Sequence, residues 1–212
     1  GLMLNLRVLV IAEFFVLLLG LLIAIARTST SPVLYPVRLI ATIYTDLFRG
    51  LPLLLVLLLV GLGVPGLRIS WIPNSAVVLG TVALVLTYSA YVAEVIRAGI
   101  EGVNPTQRQA ARALGLSQSQ TLEHVVLPQA VRNVTPPLLN DLVSLQKDSG
   151  LISVLGAVDA IRAAGIQTAQ SFNFTPYLVA GALFVLLTIP LTRFTDWLTR
   201  RQDARQRAHG QW

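Results

Sequence analysis

Cysteine is absent from this chain of 212 residues, lysine occurs once, as Lys147, and histidine only at positions 124 and 209. Without cysteine, disulfides and thiolate metal sites are excluded. The two histidines lie far apart and have no ligand spacing, so metal catalysis has no basis in the sequence. A phosphate-binding loop needs Gly-Lys-Ser/Thr, and Lys147 is followed by Asp148. The chain is therefore expected not to be an enzyme, and any ATP that drives it must be bound, with magnesium, by another subunit. Charge is scarce too: 12% of residues are charged, against about 25% in an ordinary soluble domain.

Long apolar runs take the place of charge. Hydrophobic residues make up 54% of the chain and mean hydropathy is +0.70, values of a membrane protein. Five stretches are candidates to span a bilayer: residues 8–26, 39–63, 76–93, 134–155 and 176–192. The first contains Glu13, the second is interrupted by Asp46, Arg49 and Pro52, and the fourth holds Asp141, Lys147 and Asp148. The fold class expected is all-α, a polytopic membrane protein forming one domain over residues 1–212. The first run is too long for a cleavable signal peptide and lacks a small-residue cleavage site.

Arginine placement predicts direction. One set of connections carries Arg27, Arg38 and Arg49, then Arg97, Arg108, Arg112 and Arg132, then Arg193, Arg200, Arg201, Arg205 and Arg207. The opposite connections hold Arg68 and Arg162. The amino terminus is expected outside, and the tail from about residue 199 in the cytoplasm. The net charge of +6 is thereby explained by topology rather than by nucleic acid.

Residues 104–128 form a polar island between apolar runs. Asn104 can cap a helix, Pro105 suits its first position, and Gln107 sits where a capping box places glutamine. Gly115 can supply the left-handed residue that ends this helix. Ser117 and Gln120 repeat the box and open a second helix running into Leu127-Pro128. Helix, glycine bend and helix make a bracket.

That bracket resembles the cytoplasmic coupling loop of ABC importer permeases, whose pattern is Glu-Ala-Ala, three residues, Gly, nine residues, an aliphatic, one residue, Leu-Pro. Ala110, Ala111, Gly115, Val125, Leu127 and Pro128 fall in register, with Gln109 in place of the glutamate. Tyr44 to Pro52 is similar to the Tyr-x-x-x-Phe-Arg-Gly-x-Pro segment of polar amino-acid permeases, and Tyr91 to Gly99 to their Tyr-x-x-Glu-x-x-Arg-x-Gly segment. Leu127 to Ala130 and Lys147 to Leu151 continue the likeness, with Ser149 and Gly150 departing from the usual Thr-Ser. The resemblance implies permeases of the histidine, glutamine and arginine type. These act as homo- or heterodimers with two ATPase subunits and an extracytoplasmic binding protein. It also implies that Gln109, Ala110, Ala111, Ala113, Gly115, Leu127 and Pro128 couple to the ATPase, the small alanines allowing close approach.

Charges within a span are costly unless they pair or line a cavity. Lys147 and Asp148 are therefore pathway candidates, pointing about 100° apart, with Ser149-Gly150 loosening the helix after them. Glu13 is a third candidate, at a dimer seam or against a cationic substrate. Arg49, Glu94 and Arg97 fit either a structural or a pathway role; the last two form an i,i+3 pair. The expected function is the permease subunit of an ATP-driven, binding-protein-dependent importer of polar L-amino acids. Import of another small solute and a non-transporting membrane scaffold are the alternatives. A channel would require a repeated filter segment, and none is found.

Overall fold

The computed structural model describes residues 1–29, 31–70 and 72–209. The tail is followed only to His209, and the side chains of Arg205 and Arg207 lie outside the described residues. The described residues form helices joined by short turns, and no strand occurs among them. Helix α1 covers Leu2–Thr28, α2 Tyr35–Gly50, α3 Leu53–Gly66 and α4 Ala76–Glu101. Helix α5 covers Pro105–Ala113, α6 Gln118–Leu155, α7 Ala160–Ser171 and α8 Thr175–His209.

Three helices are long and apolar enough to cross a membrane unaided: α1, α4 and Thr175–Arg201 of α8. The count reaches five only if α2 with α3, and α6 with α7, each make one bent span. The interruption expected in the second span is a sharp break between α2 and α3. The two helices meet at 107°, and α3 alone, at about 1.5 Å per residue, reaches only some 21 Å. Pro52 causes the break, because it has no N–H and forces Leu51 into extended backbone (φ −92°, ψ 137°).

The fourth span differs from expectation. The second helix of the bracket does not stop at Leu127-Pro128; it is the start of α6 and runs on without interruption. A wider π-turn at Leu122–Val126 makes room for the Pro128 ring, which would clash with the carbonyl of a regular turn. A second π-turn, Leu59–Gly63, precedes Pro65 in the same way. At its far end α6 tightens into a 3-10 turn over Ser149–Leu155 and stops at Gly156, whose φ is 90°.

Helices α1, α4 and α6 pack around a core of Val8, Ala12, Val16, Leu84, Tyr88, Val92 and Leu145. Helices α4 and α6 cross closely at Gly99, where a Cβ would collide with Val134 Cγ1. Buried Asn5 pins the start of α1 to the far end of α6: its Nδ2 donates to Ser149 O at 3.2 Å and to Asp159 Oδ2 at 3.0 Å. Its Oδ1 accepts from Ala160 N at 3.1 Å, and Asp159 caps α7 through Arg162 N at 2.8 Å.

Candidate functional site

The bracket is held by local bonds at each bend. Asn104 Oδ1 accepts from Thr106 N at 2.9 Å, but Gln107 does not close the expected box. Helix α5 ends in a Schellman pair, Gly115 N to Arg112 O at 3.0 Å and Leu116 N to Ala111 O at 3.2 Å. Gly115 has φ 88°, as that motif requires. The second box forms as expected, with Gln120 N donating to Ser117 Oγ at 3.2 Å and Ser117 N to Gln120 Oε1 at 2.8 Å. Val103, Val126 and Ala130 make a small core behind the bend.

The alanines divide. Ala110 and Ala113 are exposed, as are Gln109, Leu127 and Pro128. Ala111 is 5% exposed and faces inward, so the expectation that it approaches a partner directly is corrected. At 100° per residue, Gln109 and Ala113 lie near the side of α5 opposite Ala111.

Near the bracket end of α4, the structure brings Arg49, Glu94 and Arg97 together. Glu94 accepts from Arg27 Nη1 at 2.7 Å and from Arg97 Nε at 3.2 Å, and Arg49 Nη1 lies 3.6 Å away. Arg97 also pairs with Glu101. One carboxylate, its side chain 22% exposed, thus gathers guanidinium groups from α1, α2 and α4. This is a brace between helices, in which both oxygens of the Glu94 carboxylate have guanidinium donors.

A second polar group sits among α1, α4 and α6. Tyr88 donates its hydroxyl to Asp148 Oδ2 at 2.7 Å. Asp141 lies two turns earlier on the same face of α6, and Glu13 is the carboxylate of α1 in its electrostatic neighbourhood. Asp141 Oδ2 is buried with no hydrogen bond. Lys147 stays apart: it is exposed and forms no ion pair among the described residues. The group is net acidic, and its carboxylates could hold a cation or accept hydrogen bonds from ammonium or amide groups.

A model of the family described as binding-protein-dependent transport system inner membrane component matches residues 16–206. The chain belongs to that family. It is 36% identical over 193 residues to the arginine transport system permease protein of Bacillus subtilis, covering 91% of this chain and 86% of that one. A Rickettsia conorii permease protein named for glutamine transport is 40% identical over 190 residues, covering 89% of this chain and 85% of its own. A crystal structure of an amino acid ABC transporter with histidines superposes with a TM-score of 0.86 at 36% identity, covering 95% of this chain and 92% of the other. An inward-facing methionine ABC transporter shares the fold at 17% identity, with a TM-score of 0.77 and coverage of 95% and 94%.

In this transport component, sequence reasoning missed Arg27 at the brace and gave Tyr88 no role in the acidic group. Arg27 closes the first apolar run and Tyr88 sits within the third, but their partners are 67 and 60 residues away. The one available signal was Asp141, an unexplained charge within the fourth span.

Proposed function

We propose that this chain is one permease subunit of an ATP-driven, binding-protein-dependent importer of polar L-amino acids, with basic or amide side chains preferred. The observation that carries the reading is the continuity of α6, a single helix from the bracket to the carboxylates of Asp141 and Asp148. The relatives named for arginine and glutamine transport support the substrate class.

A loaded binding protein docks on the side opposite the bracket, and two permease subunits enclose the pathway between them. ATPase subunits bind ATP with magnesium and seat the bracket, residues 104–128, through the exposed face of Gln109, Ala110 and Ala113. Their closure moves the bracket, and α6 carries that motion to Asp141 and Asp148, turning the acidic group from one side of the membrane toward the other. Chemistry stays in the ATPase; this chain supplies geometry. The amino terminus lies outside and the carboxyl terminus in the cytoplasm of the cell whose membrane holds the complex.

Uptake by the reconstituted complex tests this reading. Arginine or glutamine should accumulate only with ATP and binding protein present, and uptake confined to a sugar or a metal ion would overturn the substrate class. A reporter after Trp212 should read cytoplasmic and one near Ile72 external; swapped readings would remove the bracket from the ATPase side.

A further inference from the structure

Between α5 and the first turns of α6 lies a cavity of about 310 Å³, walled by Arg108, Arg112, Gln118, Thr121, Leu122 and Val126. Arg108 and Arg112 are one turn apart, and neither forms an ion pair among the described residues. Backbone carbonyls hold both in place: Arg108 Nη2 donates to Ile100 O at 2.6 Å, and Arg112 Nη1 to Leu116 O at 2.9 Å. Arg108 Nε is buried with no acceptor. Thr121 is 5% exposed, and its buried hydroxyl has no hydrogen-bond partner at all. A buried hydroxyl left unpaired is costly, and like charges one turn apart on a helix repel.

We infer that this cavity binds a phosphate group, carried by an anionic phospholipid headgroup or free in solution. Two guanidinium groups and a hydroxyl offer donors to separate oxygens of a tetrahedral anion, a better match than a planar carboxylate provides. Leu122 and Val126 line the same cavity with apolar surface, and Leu122 is exposed, which suits the glycerol end of a lipid. Counting from inward-facing Ala111, Arg108 lies about 60° and Arg112 about 100° round α5, so the pair occupies one flank and Arg112 borders Gln109 at the edge of the outer side. The phosphate site therefore adjoins the proposed ATPase face without occupying it. A bound phosphate cross-links α5 to α6 and stiffens the bend at Gly115. The inference rests on the bracket's geometry and not on the amino-acid reading.

The test uses the assembled complex carrying wild-type permease, Thr121→Val or Arg112→Gln. The valine keeps the shape of threonine, so a folding defect does not obscure its result. Native mass spectrometry counts phosphatidylglycerol retained from mixed phosphatidylcholine vesicles, and thermal unfolding is followed with inorganic phosphate against chloride at equal ionic strength. Preferential retention of phosphatidylglycerol, reduced at least about fivefold in either variant, as expected for losing one hydrogen bond to a charged group, supports the site with a lipid source. A stabilisation by inorganic phosphate that both variants lose, without lipid preference, supports it with a soluble source. Equal lipid retention and equal phosphate response in all three proteins overturn it. So does release of the ATPase by Arg112→Gln with both phosphate readouts unchanged, which would assign the arginines to a partner's carboxylate.

Discussion

At Glu94 one carboxylate is shared by arginines from α1, α2 and α4, whereas Asp141 and Asp148, on one face of α6, have a single phenolic hydrogen bond between them, from Tyr88. Both groups lie where helices cross, and both combine distant parts of the chain. In the first, positive charge exceeds negative and every carboxylate oxygen has a donor. In the second, Asp141 Oδ2 has none. A compensated cluster fixes helices relative to one another; an uncompensated one retains capacity for something that arrives and leaves. The two regions separate the part of the bundle that must hold from the part that must exchange.

The sharpest way to break this contrast is Glu94→Gln. It leaves Arg27, Arg49 and Arg97 facing one another, and with Glu94 only partly exposed the expected loss is about 2–3 kcal/mol, toward the lower end for breaking a buried pair. Purified complex should unfold at a distinctly lower temperature and be recovered in lower yield. Unchanged stability would mean that the brace is ornamental. Asp148→Asn should do the converse, reducing uptake of arginine about tenfold, near 1.4 kcal/mol, while assembly is retained. Lys147→Met, which faces away from that group, should reduce uptake by less than Asp148→Asn. Equal effects of the two would dissolve the distinction between them.

Gly115→Val should cost about 1–3 kcal/mol locally, because a β-branched residue is forced into φ 88°. The protein should still insert in the membrane, but less ATPase should copurify and transport should fall with it. Normal ATPase recovery would remove the bracket from the coupling role. Gln109→Glu is expected to have the smallest effect. Its exposed side chain keeps length and polarity, and uptake should stay within about twofold of wild type, a few tenths of a kcal/mol.

What could be read from the sequence was mostly what is decided within a few residues. The Ser117–Gln120 box, the left-handed Gly115, the Asn104 cap and the Glu94–Arg97 pair all depend on neighbours two or three positions away. Ala111 shows the limit. Its size was legible, but the direction it faces is set by packing that no local pattern encodes. Pro52 and Pro128 make the same point in opposite directions. Each was visible as a breaker, yet one bends the chain by 107° while the other is absorbed by a π-turn in an unbroken helix. The outcome depends on whether a neighbouring turn can widen, which is a property of the packed bundle.

The latch at Asn5 bears on the order in which the molecule is made. Its partners Ser149, Asp159 and Ala160 follow it by 144 to 155 residues. At the usual pace of synthesis that interval is on the order of ten seconds. Through all of it, the amide near the start of α1 has no native partner and an apolar environment in prospect. Helix α1, made well before α6 and α7, is thus among the last to reach its final position, and a nascent chain halted before residue 159 would carry an α1 that cannot yet be anchored.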